Sequence, residues 1–243
     1  MQKNINQKDF VLFLEKNGCI KIAANKNEFF LLKSGRLCPI FINIGRLIDG
    51  KSLDYLADAY ADKIKKLLQN KEIEKIDVIY GPAYKGISLA ALTAAKLYQK
   101  YKINTIFVYD RKEQKEYGDK SADNIIVGQD QIKDGQNVLL VDDVITSGKA
   151  KIQAYEKLLK IAKINLVGIL VAIDREEVGS EKMESAKKEI EKTLGCKVYS
   201  LANMRIIYST IKNKISKQSR EFIKQYFQEW GEEELKQMLK NEE

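Results

Sequence analysis

One run of thirteen residues, Val138 to Ala150, constrains this chain more than any other stretch. Its four leading apolar residues, Val138–Val141, predict a buried strand. Two adjacent carboxylates, Asp142 and Asp143, follow at the C-terminal end, where open α/β sheets place their ligands. After Val144-Ile145, a Thr146-Ser147-Gly148 turn opens a helix predicted over Lys149–Ala162. Free N–H groups, two hydroxyls and the helix dipole at such a turn suit a phosphate, and Gly148 lets the backbone come close. The carboxylates cannot hold phosphate themselves. They suit hydroxyls, or a ribose carrying partial positive charge. The plainer alternative is a helix N-cap cluster.

The rest of the chain supplies the frame such a turn needs. A helix is predicted over Gln7–Lys16 and ends at Asn17-Gly18. Residues 19–44 read as short strands, with turns at Asn25–Asn27 and Ser34-Gly35. An amphipathic helix follows over 51–70, with Leu53, Leu56, Ala57, Tyr60, Ile64 and Leu67 on one side. Strands are then predicted at Ile76–Tyr80, Thr105–Tyr109, Leu166–Ile173 and Lys197–Leu201, and helices at Gly86–Tyr98 and Lys182–Leu194. A polar loop spans 110–123. This alternation predicts an α/β fold with a mostly parallel central sheet flanked by helices. With no Pro-, Gly- or Ser-rich linker, the chain reads as one domain, with an N-terminal subregion (1–45) and a helical tail (203–243). The tail's stripe of Phe222, Ile223, Tyr226, Phe227 and Trp230 reads as packing on the core or on a second copy.

Composition narrows the chemistry. There is no histidine, so an imidazole base, a His-based triad and an HExxH site are excluded. Three scattered cysteines without histidine also exclude a structural zinc site, and their odd number fits a reducing, cytoplasmic setting. The net charge of +8 invites a nucleic-acid reading. Only six of the 42 basic residues are arginine, however, and the lysines interleave with acids as on a solvated face. No nucleic-acid partner is expected, only some attraction for small anions. The N-terminus lacks an apolar signal core, and the most apolar run, Ile164–Ile173, is too short to span a bilayer.

The Val138–Ala150 run resembles the signature with which the phosphoribosyltransferase family binds 5-phosphoribosyl-1-pyrophosphate (PRPP). Thr146, Ser147, Gly148, Lys149 and Ala150 then form the phosphate loop, although small or hydroxyl residues are common where Lys149 and Ala150 stand. Similar runs occur in PRPP synthases and in non-catalytic PRPP-binding regulators. Three further motifs point to the orotate phosphoribosyltransferases. Phe30-Leu-Leu-Lys33-Ser34-Gly35-Arg36, with Cys38-Pro39-Ile-Phe41, resembles the hood segment they place over the base. Gly81-Pro82-Ala83-Tyr84-Lys85-Gly86 resembles their strand-end loop beside the pyrophosphate. Arg111-Lys112-Glu113-Gln-Lys115-Glu-Tyr117-Gly118 resembles their basic lid, with Tyr117 where histidine is usual. The similar layout runs from about Phe10 to Gly231, leaving Glu232–Glu243 as an apparent addition.

The resemblance implies Mg²⁺-dependent transfer of a phosphoribosyl group from PRPP to orotate, in pyrimidine biosynthesis, by a homodimer whose lids cross between subunits. It implies a type I phosphoribosyltransferase fold, with Asp142, Asp143, Lys112 and Lys115 at the chemistry. Lys33, Tyr84, Lys85, Arg111 and Tyr117 would bind substrate, Phe41 would line the pyrimidine, and Arg175 would pair orotate's carboxylate. Mg²⁺ would sit mainly on substrate oxygens and water. Plainer alternatives are a solvated Lys85, a lid charge run, a salt bridge for Arg175, core packing for Phe41 and a lid tyrosine without chemistry at Tyr117. At the level of function the alternatives are an enzyme for another base, or a PRPP-sensing regulator.

Overall fold

The computed structural model describes residues 5–111, 126–145, 149–179 and 184–242. Helix α1 (Gln7–Lys16) starts where the Asn6 side chain accepts the Asp9 N–H, and it buries Phe10, Val11 and Leu14. Strand β1 (Ile20–Ile22) follows. Strands β2 (Phe30–Leu31) and β3 (Leu37–Cys38) form a hairpin, and β4 (Ile40–Ile42) returns antiparallel to β1. The hairpin turn carries Lys33-Ser34-Gly35. It needs glycine, because Gly35 has a φ of +81°.

Helix α2 (Gly50–Gln69) leads to strand β5 (Val78–Gly81), helix α3 (Lys85–Tyr101) and strand β6 (Ile106–Asp110). A two-residue strand β7 (Ile126–Val127) pairs antiparallel to β6 and was too short to be predicted. Strand β8 (Asn137–Ile145), helix α4 (Lys149–Leu159), strand β9 (Asn165–Asp174), helix α5 (Ala186–Leu194) and strand β10 (Val198–Asn203) complete the repeat. The tail forms α6 (Met204–Ile211), α7 (Lys217–Trp230) and α8 (Glu233–Lys240).

The sheet runs β10-β9-β8-β5-β6-β7, parallel except at β7. Alternation along β8 assigns its side chains to two cores. Leu139 and Val141 join the cluster of α1, α2, α3 and the tail helices, whereas Val138 and Leu140 join the cluster of α4 and α5. The strand is longer than its apolar run. It continues through both aspartates because β9 stays alongside, with Asp142 opposite Val171 and Ile145 opposite Asp174. Backbone pairing is indifferent to side-chain polarity, so the expected end at Val141 is corrected to Ile145.

A row of acids on α2 answers lysines on α3. Asp54 and Asp58 pair with Lys96, while Asp58 and Asp62 pair with Lys100. Tyr101 Oη adds a hydrogen bond of 2.6 Å to Asp62. The residues expected to be an addition contribute to the main core. Leu235 and Leu239 of α8 are fully buried in the cluster that holds Phe10, Leu14 and Phe227. Each such side chain contributes about 1.5–3 kcal/mol by leaving water.

Candidate active site

The C-terminal ends of β5, β6, β8 and β9 carry the charged residues the sequence singled out. Lys85, the first residue of α3, places its Nζ 2.7 Å from Asp143 Oδ2. Lys151, in the first turn of α4, places its Nζ 2.5 Å from Asp142 Oδ2. The two lysines differ in freedom. The side chain of Lys85 is 55% exposed and that of Lys151 is 7% exposed. Buried Tyr60, from α2, donates its hydroxyl to the Asp142 carbonyl at 2.8 Å. Beside Lys85 and Asp143 lies a small cavity of about 60 Å³, walled by Leu53, Leu56 and Leu89.

The loop from β5 to α3 is held by close backbone packing. A Cβ on Gly81 would stand 2.2 Å from the Gly86 carbonyl oxygen, and one on Gly86 would stand 2.7 Å from Pro82. Only glycine fits at either place. The Ala83–Tyr84 peptide bond is cis, and Tyr84 is exposed. Asp110, buried at the end of β6, accepts the Ala83 N–H at 2.5 Å and pairs with Lys157 of α4. One carboxylate therefore ties this loop to two neighbouring elements. Arg111 follows directly, and its Nε is buried with no hydrogen-bond partner among the described residues. Orphaned buried donors are rare, and this one suits an anionic oxygen.

At the hood, Lys33 is exposed at the hairpin turn, and Phe41 is half-buried and stacked on Phe30 at 5.4 Å. Arg175, just past β9, is buried. Its Nε and Nη2 donate to Glu177 Oε1 at 2.9 and 2.5 Å, and Nη2 reaches Cys38 Sγ at 3.3 Å. Burial opposes the charge on Arg175, but Glu177, Cys38 and Tyr226 together outweigh it and shift the pKa upward. Arg36 clamps the hood to the same segment. It donates to the Val178 and Gly179 carbonyls at 3.1 and 3.0 Å, and its guanidinium lies 4.0 Å over the Trp230 ring.

Residues 52–201 match the phosphoribosyl transferase domain. The orotate phosphoribosyltransferase of Bifidobacterium animalis subspecies lactis is 34% identical over 229 residues, covering 94% of this chain and 95% of the relative. This chain belongs to the orotate phosphoribosyltransferase family. The orotate phosphoribosyltransferase of Acinetobacter baumannii is 38% identical over 202 residues, covering 83% of this chain and 88% of that one. A solved structure, the orotate phosphoribosyltransferase of Francisella tularensis, matches with a TM-score of 0.72 at 33% identity. It covers 91% of this chain and 98% of its own. The mostly parallel six-stranded sheet is accordingly a type I phosphoribosyltransferase fold.

Measured against that family, the structure brings Lys85 to the aspartate pair and places Arg111 at the end of β6. Lys33, Phe41 and Arg175 lie in or against the hood. Lys112, Lys115, Tyr117, Thr146, Ser147 and Gly148 lie outside the described residues, while Lys149 and Ala150 open α4. Sequence reasoning missed Lys151, Asp110, Lys157, Tyr60 and Glu177. A signal existed for Lys151, which shares the buried stripe of α4 with Ala154 and Leu158 at helical spacing. A lysine on such a stripe calls for a carboxylate partner.

Proposed function

We propose that this chain transfers the 5-phosphoribosyl group of PRPP to orotate, giving orotidine 5′-monophosphate and pyrophosphate, for pyrimidine biosynthesis in the cytoplasm. What carries the reading is the aspartate pair on β8, with the half-exposed Lys85 2.7 Å from Asp143. The C1–O bond of PRPP breaks early, and the ribose becomes oxocarbenium-like. Asp142 and Asp143 orient the ring hydroxyls and stabilise that charge. Lys85 swings from Asp143 to the departing pyrophosphate, joined by Arg111, Lys112 and Lys115. Tyr84 borders the pyrophosphate. Tyr117 supplies a hydrogen bond where the family's lid usually has histidine. The turn at Thr146, Ser147 and Gly148, with Lys149 and Ala150, receives the 5′-phosphate.

The carboxylate oxygens of Asp142 and Asp143 are the hard donors that Mg²⁺ prefers. Among the described residues no three acidic or thiol groups converge into a cage, so substrate and water would supply most of its oxygens. When bound, Mg²⁺ offsets negative charge on the pyrophosphate. Orotate lies under the hood against Phe41 and Lys33. Arg175, expected at orotate's carboxylate, is enclosed and bound to Glu177 and Cys38, so the salt-bridge alternative fits this residue better. The whole chain acts as one domain, comprising the hood (1–45), the sheet and the tail (203–243), and it works as a homodimer with crossing lids.

The test is spectrophotometric loss of orotate with PRPP and Mg²⁺, repeated with uracil, hypoxanthine and adenine. Turnover of orotate alone is expected. Turnover of another base with orotate untouched would overturn the base assignment. PRPP binding without turnover of any base, together with tight sequence-specific DNA retention on a filter, would instead identify a regulator.

A further inference from the structure

Asp142 and Asp143 are neighbours in one strand, so their side chains leave β8 on opposite faces. Each meets a lysine from the helix covering its face. Asp143 follows Leu139 and Val141 to the α3 side and meets Lys85. Asp142 follows Val138 and Leu140 to the α4 side and meets Lys151. The Lys85 side chain is more exposed than buried, with its ammonium at the open edge of the pair. The Lys151 ammonium is enclosed, and besides Asp142 it donates to the Val144 carbonyl at 2.8 Å. Enclosing a lysine costs several kcal/mol unless it is paired and hydrogen-bonded, so this contact is built rather than incidental.

From this we infer that Lys151 is a positioning residue of the phosphoribosyl site. Its ammonium holds the Asp142 carboxylate in place and ties the end of β8 to the first turn of α4, the two elements on either side of residues 146–148. Two consequences follow from the bonding. Asp142 cannot swing, because its partner is anchored in a buried helix stripe with Ala154 and Leu158. The start of α4 cannot drift from β8, because the Val144 carbonyl is fixed to the same nitrogen. Lys151 thus acts through Asp142 and through the joint between β8 and α4, without taking part in bond breaking. The inference rests on the reading that Val138–Ala150 binds PRPP.

The test compares Lys151→Met and Lys151→Arg with the parent chain, measuring PRPP binding by calorimetry without base, then KM for each substrate and kcat. A hydrogen bond to a charged group is worth about 1.5–3 kcal/mol, so Lys151→Met should weaken PRPP binding by about 10- to 100-fold. KM for orotate should stay within about threefold, a change below 1 kcal/mol. Lys151→Arg, which keeps the charge and the donors, should recover most of the PRPP affinity. A folded Lys151→Met variant with unchanged PRPP affinity overturns the inference, and so does an equal loss toward both substrates. Should Lys151→Met fail to fold, Lys151→Gln is read by the same titration with the same two outcomes. A parent chain that binds no PRPP would overturn the reading of the run itself, before any variant is compared.

Discussion

Strands β8 and β9 lie side by side, run the same way and both end in charge. Their ends are put to different uses. At β8 the carboxylates of Asp142 and Asp143 are met by lysines, one of which, Lys85, is more exposed than buried. At β9 the segment Asp174-Arg175-Glu176-Glu177 is turned inward, and its partners are buried or clamped as well. Arg175 pairs with Glu177, and Glu176 takes the Arg205 Nε at 2.6 Å and the Arg205 N–H at 2.8 Å. Arg36 and Trp230 close over the segment from the hood and the tail. A charge at a strand end points to a ligand when its partner can leave. Where both partners are enclosed, the same chemistry works as scaffold that joins distant segments.

Four experiments break or sharpen this contrast. The largest effect belongs to the β9 end. Glu177→Ala leaves the Arg175 guanidinium buried without its carboxylate, which should cost about 3–5 kcal/mol of stability. Urea unfolding followed by tryptophan fluorescence would measure it, and a loss below about 1 kcal/mol, as for a surface pair, would mean this end is no scaffold. The β8 end should fail in turnover instead. Asp142→Ala with Asp143→Ala, made together with Lys151→Met so that no enclosed ammonium is left unpaired, should lower kcat/KM by about 10²–10³-fold or more with the fold kept. Orotidine monophosphate synthesis near the parent rate would remove the pair from the mechanism.

The third experiment uses pH. Burial pushes the Glu176 pKa up to about 7, against the pull of Arg205, from an ordinary value of 4.5. The unfolded chain then releases this proton at lower pH than the folded chain does. Stability contributed by this group is therefore full at low pH and falls as pH rises from about 4.5 to about 7, flattening above. Across that window the stability of the parent relative to Glu176→Gln should fall by about 3 kcal/mol. A difference that is level with pH would mean that Arg205 offsets the burial of Glu176 in full. Burial moves Asp174 in the same direction, and the comparison with Glu176→Gln separates Glu176 from that shared background. The smallest effect is on stability at Lys85. Lys85→Met should change unfolding free energy by no more than about 1 kcal/mol, because the lysine is largely solvated, while turnover drops. A large loss of stability would make Lys85 scaffold after all.

The order of strands and helices was legible because apolar period, caps and glycine punctuation are local. The aspartate pair and the Gly81–Gly86 loop were legible for the same reason, since backbone approach and turn chemistry are set by neighbours in the chain. The end of β8 was misplaced because its last residues are held as strand by β9, not by their own apolarity. The tail's last helix read as an addition to the family layout, yet Leu235 and Leu239 lie in the main core.

The partners of the charges could not be read in this way. Arg36 reaches Val178 across 142 positions, and Asp110 reaches Ala83 across 27. By itself the sequence determined the α/β rhythm, the two adjacent carboxylates on the central strand, and the absence of imidazole chemistry. Only the tertiary structure decided that Lys85 meets Asp143 while remaining half-exposed, that Lys151 is enclosed, and that Arg175 answers Glu177. The reason is physical: the strength of an ion pair depends on separation through space and on how much water surrounds it, and neither is written in the order of residues.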